Sequence, residues 1–154
     1  MCSLSEGMTS PIVDVDTVDL DGTLALIDVR REEDYNQGHI TGAVNLPLAN
    51  LLSGDSPEST VKLFEEMGIA DDTKVVVYDD TFGALASRVV WTLQYIGHKN
   101  VGLLEVTYSQ WKDLGFKTST EKPDIKPAKH SLNLNRKIMA TAEYLENAKE
   151  KKNV

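Results

Sequence analysis

Carboxylates outnumber the basic side chains of this 154-residue chain, and two sets of them stand at spacings that chemistry uses. Asp19 and Asp21 are separated by one residue inside "VDLDGTLALIDVR" (18–30), and Asp79 and Asp80 close the run "KVVVYDD" (74–80). Paired acids act as nucleophile, as general acid and base, or as ligands of a hard cation. Thiol chemistry has little to draw on. Cys2 is the one cysteine, in the N-terminal stretch, so no intramolecular disulfide and no thiolate zinc cluster can form. The histidines His39, His98 and His130 are far apart along the chain, and no metal or cofactor is expected.

Composition narrows the classes. The length suits one domain with a real core. A net charge of −8 argues against a nucleic-acid binder, which presents a basic surface. No apolar run approaches the roughly 20 residues that a membrane span needs. "MCSLSEGMTSP" has neither the basic nor the apolar region of a secretory signal, and residues 1–10 read as a flexible leader. The cysteine usage fits the cytoplasm.

Short apolar runs alternating with helical patterns must position these acids, and that alternation is the mark of an α/β domain with a parallel sheet. "LALIDV" (24–29), "AVNLP" (43–47), "KVVVYDD" and "NVGLLEV" (100–106) read as strands. The third is β-branched and apolar throughout, hence central. Residues 56–68 read as a helix, with Pro57 in its first turn and Gly68 at its end. A longer helix is expected from Gly83 to Ile96, stopped by Gly97, and a short one over 108–115.

"DLDGTL" resembles the D-x-D-G-T loop of haloacid-dehalogenase-type phosphatases. That likeness implies Asp19 as nucleophile, Asp21 as acid/base, and Mg²⁺ held with help from the acids after "VVVY". The flanks disagree. The nucleophile should end a buried strand, whereas "DVDTVDL" alternates Asp with apolar residues, and "LALIDVR" after it is a strand where a helix is needed. An Asp-Gly turn is the simpler reading.

A second resemblance runs over residues 11–118. "LIDVRREEDYNQGHITGAVNLP" is similar to the front signature of rhodanese-like sulfurtransferase domains: a strand ending in D-V-R, then G-H-I-x-G-A and a strand ending in Pro. "KVVVYDDTFGALASRVVWTLQYIGHKNVGLLEVTYSQWKDLGF" follows the family's second half in the same order. The implied fold is a three-layer α/β domain with a central, mostly parallel five-stranded sheet flanked by helices.

In active members the residue after the V-V-x-Y strand is a cysteine. Its thiolate attacks the sulfane sulfur of a donor such as thiosulfate, holds it as a persulfide and passes it to an acceptor such as cyanide. Loop N–H groups and the helix dipole stabilise the anion. Asp79 stands there in this chain, followed by Asp80, Thr81, Phe82, Gly83 and Ala84. A carboxylate carries no transferable sulfur, so the resemblance implies a degenerate loop without catalytic residues. "VVVYDDTFGALASRVVW" is closest to the non-catalytic N-terminal half of two-domain thiosulfate sulfurtransferases.

The remaining motif residues carry structural expectations. Arg88 either pairs with Asp79 or Asp80, faces a partner domain, or lies on the surface. Asp28 and Arg30 should pair locally, and Gly38, His39 and Gly42 should shape the turn between two strands. His98 should cap a helix C-terminus as a cation. Val106 and Thr107 replace two glycines of the family pattern, so the loop there should differ. His130 shows no role.

Beyond residue 120 the composition changes. Residues 121–154 hold eight Lys/Arg against five Asp/Glu, so the negative charge is concentrated before them. Residues 121–137 read as a linker and 138–154 as a helix resembling the start of a second rhodanese repeat. The implied partner is a catalytic rhodanese domain, in cis or in trans, and the chain would be a fragment or one subunit of a split enzyme. Three alternatives stay open: a helix private to this domain, an interaction module that serves no enzyme, and the phosphatase.

Overall fold

The computed structural model describes residues 12–20, 24–52 and 56–134. The leader over 1–10, the Asp21-Gly22 turn and the helix expected over 138–154 lie outside them. In chain order the elements are β1 (Ile12–Val13), α1 (Val15–Leu20), β2 (Ala25–Asp28), α2 (Glu32–Gln37), β3 (His39–Ile40) and β4 (Ala43–Asn45). Then come α3 (Leu48–Leu52), α4 (Pro57–Glu66), β5 (Val75–Tyr78), α5 (Ala86–Tyr95), β6 (Val101–Leu104), α6 (Tyr108–Asp113) and β7 (Thr118–Ser119).

Five strands form one sheet in the order β1-β6-β5-β2-β4, and every neighbouring pair is parallel. β3 and β7 make a separate antiparallel pair. The central place of β5 follows from its sequence: all four residues are buried, as a strand covered on both faces requires. Val75 and Val77 point to one face, where they meet Val61 and Phe64 of α4 and Val89, Val90 and Leu93 of α5. Val76 and Tyr78 point to the other, with Val18 of α1, Tyr35 of α2 and Trp111 of α6. Three layers result, with parallel strands whose C-terminal ends lie on one edge.

One sequence expectation is corrected, and one segment with no expected element proves helical. Residues 15–20 form α1, where Asp14 accepts the Thr17 N–H at 2.8 Å and nucleates a turn. α5 starts at Ala86, three residues later than read, because the residues before it form turns around Asp79. The Val106–Thr107 difference is local. Thr107 has ordinary extended backbone (φ −77, ψ 168) and caps α6 in a capping box with Gln110, so no glycine is needed there.

Residues 121–134 hold no helix or strand, yet they lie against the domain as a strap. Ala128 N–H donates to Glu65 O at 2.9 Å, and Asn133 N–H to Ile96 O at 3.0 Å.

Candidate functional site

The edge formed by the C-terminal ends of β2 and β5 carries the loop that follows Tyr78. Asp79 is its first residue and is buried. Its Oδ1 accepts the N–H groups of Thr81 and Gly83, each at 2.9 Å. Its Oδ2 accepts the Thr81 hydroxyl and the Leu85 N–H at 2.9 Å and the Ala86 N–H at 2.8 Å. Burial alone would raise the pKa of Asp79. The backbone donors of Ala86, Thr81 and Gly83 outweigh it and hold the carboxyl below its usual range. The loop and the start of α5 thus make an anion cradle, and the chain's own carboxylate fills it.

Asp80 turns the other way. Its carboxylate accepts the Ser109 N–H at 2.9 Å and the Ser109 hydroxyl at 2.8 Å, and Tyr108 N–H donates to Asp79 O at 3.0 Å. The loop is stitched to α6 through these bonds. Phe82, at its tip, is 82% exposed and adopts φ 57. A left-handed backbone is unfavourable for an aromatic residue, and here it projects the ring to the surface. Gly83 follows at φ 92, and Ala84 is exposed. Arg88 is exposed on α5 and makes no ion pair with Asp79 or Asp80.

Beside this loop, Asp28 ends β2 fully buried. Arg30 grips it, with Nε donating to Oδ1 at 3.0 Å and Nη2 to Oδ2 at 2.7 Å. Tyr78 OH also donates to Asp28 Oδ2 at 2.7 Å and accepts the Ile40 N–H at 3.0 Å. Burial pulls the Arg30 pKa down, but the hydrogen bonds and charge of Asp28 raise it overall. Burial drives the Tyr78 phenol well above its usual range, and it pushes Tyr35 up to about 12 with help from the Asp28 charge. Neither phenol is poised as a base near neutrality. Arg30 also lies over the Tyr108 ring, 3.9 Å from its centre. The knot locks the ends of β2 and β5 together.

Gly38 and Gly42 frame β3 for different reasons. A Cβ on Gly38 would stand 2.8 Å from Tyr108 OH, whereas Gly42 has open space but needs φ +90. His39 is fully buried, stacks on Tyr35 and places both ring nitrogens on backbone carbonyls. These are Tyr35 O at 2.9 Å and Glu121 O at 2.7 Å. His39 is therefore a tie between α2 and the strap.

His98 corrects its expectation in part. Its N–H caps α5 by donating to Leu93 O at 2.8 Å, but its ring is buried. Burial lowers its pKa, which disfavours the cation. Its ring meets His130, whose role no local pattern indicated. Asp19 falls in helix α1 and not at the end of a strand, and Asp21 lies outside the described residues. Among the described residues no group of three or more His, Cys, Asp or Glu is placed to hold a metal, and no helix is long and apolar enough to cross a membrane.

The parallel order β1-β6-β5-β2-β4 with helices on both faces is the rhodanese fold. The 3-mercaptopyruvate sulfotransferase SseA of Escherichia coli superposes with a TM-score of 0.70 at 24% identity, over 82% of this chain and 56% of that one. The Rhodanese-like domain family matches residues 14–114, and the chain belongs to that family. Thiosulfate sulfurtransferase of Rattus norvegicus is 30% identical over 131 residues, covering 78% of this chain and 44% of that protein. Sulfur carrier protein TtuD of Thermus thermophilus is 32% identical over 104 residues, covering 64% of this chain and 36% of that protein. The chain spans less than half the length of these two curated relatives.

Proposed function

We propose that this domain is the non-catalytic half of a two-domain sulfurtransferase of the thiosulfate or 3-mercaptopyruvate type. It shapes an active site carried by a cysteine-bearing rhodanese domain, present in cis or supplied in trans. The observation that carries this reading is the cradle filled by Asp79. A donor anion finds the loop donors already used, and a carboxylate cannot accept the sulfane sulfur. Two flanking acids also repel an anionic donor.

The partner contact centres on Phe82, the exposed ring at the loop tip. An aromatic anchor at a loop held rigid by five hydrogen bonds suits docking to an apolar wall beside a catalytic cysteine. The same ring favours the second reading, a rhodanese-derived module that binds a protein outside any sulfur transfer.

The test is thiocyanate formation from thiosulfate and cyanide by the whole chain, alone and with a cysteine-bearing rhodanese domain added. The proposal expects no turnover by the chain alone and a change in turnover by the added domain. A rate from the chain alone that survives Cys2→Ser overturns it. An added domain that neither binds nor responds leaves the interaction module as the better reading.

A further inference from the structure

All three histidines of the chain touch the strap or its anchor. His39 holds its start through Glu121 O, and His98 and His130 meet where it crosses the end of α5. The second contact runs through three short polar contacts in series. His98 Nε2 lies 2.8 Å from Thr73 O, His98 Nδ1 lies 2.9 Å from His130 Nε2, and His130 Nδ1 lies 2.6 Å from Ser131 O.

A carbonyl oxygen only accepts, so both outer nitrogens must donate. The bond between the rings needs one proton more. Three hydrogen bonds therefore require three ring protons, whereas two neutral imidazoles carry one each. The two residues are 2% and 7% exposed, so water is poorly placed to replace a missing proton. A metal does not fit the gap: bonds of about 2.0–2.1 Å in tetrahedral geometry would hold the nitrogens roughly 3.3 Å apart.

We propose that His98 and His130 form a proton-held clasp that fastens the strap of residues 121–134 while the pair carries one shared positive charge. Loss of that proton sets two lone pairs against each other. Gain of a second makes two adjacent cations. Either change opens the clasp, so fastening peaks in a window of pH with an edge on both sides.

The surroundings suit a single charge. The charged groups facing the pair among the described residues are carboxylates: Asp71 Oδ1, 3.5 Å from His130 Nδ1, and Glu65, whose Oε2 accepts the His130 N–H at 2.8 Å. Hydrogen bonds from Ser131 hold the Asp71 pKa below its usual range, which keeps it anionic. Burial and the neighbouring His130 disfavour a charge on His98, and the Asp71 carboxylate lies on the His130 side of the pair. The clasp joins the end of α5 to the strap, beside the Asn133 N–H that donates to Ile96 O. This inference does not depend on the proposed function.

Two measurements on the full chain test it. Long-range ¹H–¹⁵N spectra of the imidazoles should count three protonated nitrogens across His98 and His130 near neutral pH. Amide-exchange protection of Ala128 and Asn133, referred to Val76 and Val77 in β5, should be bell-shaped in pH. It should fall about tenfold per pH unit beyond each edge, as one-proton linkage requires. In His130→Gln, whose amide donates and accepts without titrating, the profile should be flat. Two protonated nitrogens at neutral pH, or protection in the natural chain that is flat or changes in one direction only, overturns the clasp. The nitrogen count decides the matter if the variant does not fold.

Discussion

The Asp79 carboxylate accepts the Ala86 N–H at 2.8 Å, reaching across a seven-residue loop to the first turn of α5. One side chain thereby fixes the end of β5, the loop and the start of the helix. That bond and its four companions occupy five donors of the loop and the helix start.

Removing the carboxylate should cost stability before anything else. Asp79→Ala leaves several loop N–H groups without a partner and should lower the unfolding free energy by about 3 kcal/mol, read from urea denaturation. The effect has a definite pH sign. The folded-state pKa of Asp79 is depressed, so its contribution is complete above the unfolded value and disappears as pH falls through the folded one. The gap between the natural chain and Asp79→Asn should therefore narrow as pH drops below about 4.

The Asp28–Arg30 pair should behave as a buried unit. Arg30→Met strands a fully buried carboxylate and should destabilise by roughly 3–5 kcal/mol. Asp28→Asn combined with Arg30→Met should recover a large part of that loss, because the uncompensated charge is gone. A double-mutant cycle in urea checks the coupling.

Gly97 and Gly42 have similar dihedrals, φ +101 and +90, but different neighbours. A Cβ on Gly97 would strike the Asn133 carbonyl, and one on Gly42 meets nothing within 4 Å. Gly42→Ala should cost about 1–2 kcal/mol from backbone strain alone. Gly97→Ala should cost more and should selectively raise the exchange rate of the Asn133 amide.

Phe82 separates stability from contact. Its left-handed backbone favours glycine and its ring packs on little, so Phe82→Gly should change stability by less than about 1 kcal/mol. The same change should abolish binding to the cysteine-bearing domain, measured by calorimetry. Unchanged binding would remove Phe82 from the contact.

Much of this fold was legible because local pattern and tertiary role coincide. The run Val75–Tyr78 is apolar at every position and is buried at every position. Pro57 opens α4, and Gly68, at φ +83, follows its end. The misread start of α5 has a tertiary cause: Asp79 takes the Leu85 and Ala86 N–H groups and lets the preceding residues turn. α2 has six residues and no side-chain N-cap bond, so it leaves little periodic signal. Asp79 could be singled out from its place after a strand, but its five donors could not. His130 was silent because its partners, His98 and Glu65, are 32 and 65 residues away.

On the proposed function, the loop after β5 accepts no sulfur. Intact-mass spectrometry after incubation with excess thiosulfate, on the natural chain and on Cys2→Ser, tests it most directly. No adduct is expected in Cys2→Ser, and in the natural chain none beyond what Cys2 alone explains. A stable one-sulfur adduct on Cys2→Ser, mapped to the Asp79–Ala84 loop, would contradict it.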